Sequence, residues 1–130
     1  MADRQQILDQ FAQNFGLVPD FLGEMPDPVL EQYTNTLNWV LSDTVLSARD
    51  KALVAFGAAT AIHCAYGVPF HSAQFALNEM GEEHIREASW VVQSVAGASA
   101  YMYGVDYSNE KFREELRAMV EHIKRAAQEQ

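Results

Sequence analysis

The 130-residue chain carries one cysteine, Cys64, and on its C-terminal side a histidine, His71, with Ala65, Tyr66, Gly67, Val68, Pro69 and Phe70 between them. A thiolate is a nucleophile, and an imidazole changes charge near neutral pH, so this pair could support nucleophilic or acid–base chemistry. Pro69 constrains how they are held. Inside a helix a proline clashes with the preceding turn and removes a hydrogen bond. In a first turn the amide protons lack helical partners anyway. The spacing therefore predicts a helix beginning at about residues 65–67, with Cys64 at or just before its N-terminus. Free amides and the helix dipole at that end favour a thiolate. His71 should follow about two turns along the same face. Gly67, one turn from each, would leave a small gap for a water or a ligand, so Tyr66 and Gly67 are the expected pocket-lining residues.

Plainer roles compete for the same residues. A free cysteine often does no more than pack, and His71 could be a core histidine bonded to a backbone carbonyl. His63, Cys64 and His71 match no closed zinc pattern and have no evident fourth ligand, so no metal and no cofactor is expected. His84 and His122 lie among charged residues and read as surface groups. No pair of carboxylates is spaced persuasively for acid–base work.

The elements that would hold these residues are helices. Ile7, Leu8, Phe11 and Phe15 recur at helical spacing and Gly16 follows as a stop. Residues 17–27 form a connector rich in turn formers. Asp27 and Pro28 suit a helix start, after which Val29, Leu30, Tyr33, Leu37, Val40 and Leu41 share a face. Ser47 and Asp50 resemble a capping box. The next helix, from Lys51 to about His63, is small and apolar all round, so it must be buried on several sides, within the subunit or between subunits. Further helices run from about Ala65 to Met80, stopping at Gly81, and from Glu82 toward Gly104. A last helix, about 108–127, is capped by Ser108 and carries Phe112, Leu116, Met119, Val120 and Ile123. The expected fold is all-α, a bundle of about six helices in a single domain over 1–130, with residues 1–45 as an N-terminal arm.

Composition excludes several function classes. The net charge of −9 would repel phosphate backbones, so nucleic-acid binding is not expected. The longest apolar run, Ala52–Ile62, falls below the ~18 residues of a membrane span. The N-terminus has no apolar signal core, which points to a cytoplasmic location. A lone cysteine rules out a disulfide within one chain.

From Leu46 to Gly104 the chain resembles the alkylhydroperoxidase D (AhpD-like) and carboxymuconolactone decarboxylase superfamily. The resemblance rests on four segments in order: Leu46–Leu53, Cys64–His71, Asn78–Gly81 and Glu82–Ile85. It implies an AhpD-like helical bundle with its core over 46–104. It also implies assembly as a homo-trimer or homo-hexamer, which the small residues Ala96, Gly97, Ala98, Ser99 and Ala100 would suit. The chain departs from the peroxidase pattern at two positions: Gly67 stands where the second cysteine would be, and Ala52 where a glutamate would be. The resemblance then implies a thiol-dependent, peroxidase-like antioxidant enzyme acting on a small molecule. Cys64 would be its nucleophile, His71 would assist, and an external thiol would recycle it. Two alternatives stand beside it. One is a cofactor-free lyase or decarboxylase using His71, against which counts the lack of basic residues for a dicarboxylate. The other is a non-catalytic oligomeric binding protein of the same fold.

Overall fold

A computed structural model of the chain describes residues 2–130. Seven helices are present: α1 (Arg4–Phe15), α2 (Asp20–Gly23), α3 (Asp27–Val40), α4 (Ala48–Ala61), α5 (Gly67–Leu77), α6 (Glu82–Gly104) and α7 (Asn109–Gln128). No strand occurs among the described residues. The helix beyond the expected six is α2, a single turn inside the connector. Among the described residues, no helix is long and apolar enough to cross a membrane.

Most boundaries follow from capping chemistry. Asp3 accepts from the amide of Gln5, Ser47 from that of Asp50 and Ser108 from that of Lys111, each satisfying an orphan donor of a first turn. Gly16 ends α1 at φ +84°, a left-handed conformation natural to glycine. Helices α4, α5 and α6 stop differently. Each ends on a non-glycine residue with positive φ: His63 at 54°, Glu79 at 59° and Asp106 at 52°. Around each, two amides fold back on the last turn, as in His63 N to Thr60 O and Cys64 N to Ala59 O. This is the Schellman motif. It explains why α5 closes at Leu77 rather than running to Met80: the amide of Met80 folds back 2.9 Å to the carbonyl of Phe75.

The chain forms two compact units, one ending at Ala88 and one starting at Ser89. In the first, α4 packs along α5, α1 on α3, and α3 on α4. Its core is Ala52, Phe56, Phe75 and Met80, bordered by Val68, Ile85 and Ala88. The rings of Phe56 and Phe75 lie 5.0 Å apart. Leu22 and Leu30 are fully buried beside the connector. Arg4 donates to the carbonyls of Gly23 and Met25 and pairs with Asp27 at 2.8 Å, tying α1 to the start of α3. Only one face of α4, Lys51, Ala52, Phe56 and Ala59, is buried within the chain, while Val54 stays exposed. Of the burial expected on several sides, within the subunit or between subunits, the chain itself supplies this one side.

The second unit holds the rest of α6 and all of α7. Neither α6 nor α7 contains a buried residue. Along α7, Leu116, Met119, Val120 and Ile123 are exposed at helical spacing. Tyr107, just after α6, donates to the carboxylate of Glu115, whose hydrogen bond and charge hold the phenol above its ordinary pKa.

Candidate functional site

The junction between α4 and α5 places the cysteine. As the last residue of the α4 Schellman motif, Cys64 gives its amide to Ala59 O at 2.9 Å. Its carbonyl accepts from Val68 N at 3.1 Å and its Sγ from Gly67 N, also at 3.1 Å. The sulfur thus takes up an amide at the start of α5, much as the oxygen of an N-cap side chain does. Pro69 is the third residue of α5, in its first turn, where its missing N–H is harmless. Cys64 is partly buried and forms no disulfide.

His71 lies further along α5. Its Nδ1 is 2.7 Å from Oε1 of Gln74, and the ring meets Phe70 edge-on at 5.0 Å. Gln74 is buried, and its amide nitrogen has no partner. Neither side chain hydrogen-bonds the other: the sulfur accepts from the Gly67 amide, and the imidazole pairs with Gln74.

The gap expected at Gly67 is filled. A Cβ added there would lie 2.9 Å from the Cβ of Ala59 and 3.2 Å from Sγ of Cys64. Gly67 is therefore a point of close approach between α4 and α5. The open space lies beside it, in a groove of about 860 Å³ walled by α3 and α5, with Phe21 of α2 at one edge. Tyr66, Gly67, Phe70 and His71 line it from the α5 side, and Tyr33 and Leu37 from the α3 side. Cys64 itself is not on the wall; its sulfur packs against Gly67, which is.

Three contributors went unrecognised in the sequence. Gln74 carried a usable signal, since it stands three residues after His71 on the same helical face. Phe21 carried none, because the turn of α2 that presents it looks like loop. Lys51 is buried with Nζ bonded to the carbonyls of Trp39 and Ser42, linking the end of α3 to the start of α4. Ala52 is fully buried in the apolar core, where a carboxylate would have no partner. Among the described residues, no three His, Cys, Asp or Glu side chains converge as a metal site would require.

The all-helical fold, with Cys64 just ahead of α5 and His71 on it, is consistent with the AhpD-like class. Residues 27–110 match the carboxymuconolactone decarboxylase family, and since this is more than half of the chain, the protein belongs to that family. The match contains α3, α4, α5 and α6, and so both Cys64 and His71. No curated protein and no solved structure matches the chain.

Proposed function

We propose that the protein is a single-cysteine, thiol-dependent peroxidase-like enzyme of this family. The observation that carries the proposal is the amide of Gly67 directed at Sγ of a partly exposed Cys64. That donor suits a sulfur that bears negative charge when it attacks. The thiolate attacks the distal oxygen of a peroxide ROOH: an S–O bond forms, the O–O bond breaks, and RO⁻ leaves and takes a proton to become ROH. Cys64 is then a sulfenic acid. A small thiol R′SH condenses with it, releasing water and forming a mixed disulfide. A second R′SH restores Cys64 and leaves R′SSR′. No resolving cysteine exists in the chain, so both thiols come from outside. His71 is not bonded to the sulfur, so the thiol proton passes to water before it can reach the imidazole. An antioxidant of this kind suits the cytoplasm, where reduced thiols are abundant.

Mass spectrometry after brief peroxide treatment, followed by a dimedone trap, tests this. Wild-type protein is expected to carry the adduct on Cys64, and Cys64→Ser to carry none and to lose thiol-dependent peroxide consumption. A Cys64 that stays unmodified under peroxide overturns the proposal.

A second reading has its own observation, the placement of His71 on the groove wall with Gln74 on its Nδ1. This favours acid–base chemistry on a bound molecule, as in a lyase. Turnover that survives Cys64→Ser and disappears in His71→Ala would select it.

The proposal includes self-assembly into a trimer or hexamer. The apolar residues of α7 are left open by the chain itself, and four such side chains at helical spacing on a helix with no buried residue fit burial against a partner. Light scattering is expected to return three or six times the 14.6 kDa of one chain. Leu116→Glu combined with Ile123→Glu is expected to yield smaller species, and a wild-type monomer would refute assembly.

A further inference from the structure

The groove beside α5 says what it can hold. Its wall contains no Asp, Glu, Lys or Arg among the described residues, and its one titratable imidazole is His71. The chain as a whole carries −9, so an anion would meet neither a cation in the groove nor an attractive field outside it. At about 860 Å³ the groove has the size of an ordinary small-molecule site, ~300–1,000 Å³. Aromatic rings stand on both sides, Phe21 and Tyr33 on one and Tyr66 and Phe70 on the other. Phe21 and Tyr33 already meet edge-to-face at 5.9 Å.

The polar end of the ligand is set by Gln74. Paired with Oε1 at 2.7 Å, a neutral imidazole would hold its hydrogen on Nδ1 and leave Nε2 as an acceptor. Gln74 is 2% exposed and its amide nitrogen is unsatisfied, so the residue makes a poor packing element and its visible contact is with the imidazole. We propose that the groove binds an uncharged, ring-bearing alcohol or phenol whose hydroxyl donates to Nε2 of His71, with Gln74 as the positioning residue that keeps the imidazole in its accepting form. The proposal rests on the functional reading only in taking the Cys64–His71 end of α5 as the site of chemistry.

Three probes of nearly equal shape test it: 4-phenylphenol, 4-methoxybiphenyl and biphenyl-4-carboxylate, titrated into the full chain and followed by calorimetry. The phenol is expected to bind about tenfold more tightly than its methyl ether, the value of one neutral hydrogen bond, and the carboxylate is expected not to saturate. In Gln74→Met the phenol is expected to lose its advantage while the ether keeps its affinity, which a merely structural change would not do. Nitrogen-15 NMR of the wild type is expected to show His71 protonated on Nδ1. Cys64 is not on the groove wall and the titration makes no use of its thiol, so a failed peroxide assay and a failed titration remain distinct results. Equal binding of phenol and ether, preference for the carboxylate, or a His71 protonated on Nε2 overturns the proposal. So does the absence of binding by all three probes, which is the result if a second copy of the chain fills the groove.

Discussion

Gly67→Ala is expected to destabilise the protein, although the same change in an open helix would stabilise it. Alanine in place of glycine is worth about 1 kcal/mol in a helix interior. Against that gain stands the 2.9 Å separation between the new Cβ and that of Ala59, a buried and inflexible neighbour on α4. Overpacking of this kind costs about 1–3 kcal/mol, because the two helices must move apart. The contact wins, and a net loss of up to roughly 2 kcal/mol is expected in urea denaturation. Ala59→Gly should relieve it. The double variant is expected to be more stable than the sum of the two single changes by about 2 kcal/mol, the signature of residues in direct contact. Strict additivity would mean that Gly67 is not held by Ala59.

The same pair decides whether a second thiol can be accommodated. A Cβ at position 67 would lie 3.5 Å from that of Cys64, within the range a disulfide requires. Ala59, not the distance between positions 64 and 67, is what bars a side chain there. Gly67→Cys alone should therefore fold poorly, while Ala59→Gly with Gly67→Cys should form a disulfide under mild oxidation, seen as the loss of both free thiols.

Local chemistry made much of the fold legible in the sequence. Ser47, Ser108, Gly16 and the placement of Pro69 each mark a boundary through hydrogen bonds made within a few residues. The stops at His63, Glu79 and Asp106 were harder to see, since side chains rarely adopt positive φ and nothing local marks them. For α5 this shifted the end by three residues. The cap formed by Cys64 was foreseeable from Pro69, but its partner was not. Sequence spacing gives positions along a helix, and it does not tell which of two acceptors or donors a rotatable side chain will choose. Hence His71 turned to Gln74 rather than to the thiol. The groove was invisible for a related reason: its walls come from α2, α3 and α5, which meet only through tertiary packing.

Lys51→Met is expected to cost about 2 kcal/mol of stability, the value of hydrogen bonds from a charged donor less the relief of returning no buried charge to the fold. Lys51 is 5% exposed, and its Nζ donates 2.8 Å to Trp39 O and 2.9 Å to Ser42 O. It also lies 3.8 Å from the centre of the Trp39 ring, a cation–π distance. No carboxylate pairs with it among the described residues. The positive charge is instead held by carbonyls at the end of α3, where the helix dipole is negative. Methionine keeps most of the stem's packing but takes from Ser42 O the lysine donor, while Trp39 O still accepts from Ser42 N and Oγ. Because α3 carries Tyr33 and Leu37 to the groove and Lys51 ties the end of α3 to α4, loss of the tether is expected to reach the groove as well as the fold's stability. Lys51→Met is therefore expected to lower the urea midpoint and to weaken 4-phenylphenol and its methyl ether equally. Gln74→Met separates the two ligands; Lys51→Met should not. An unchanged midpoint would show that Ser42 O is satisfied without the lysine.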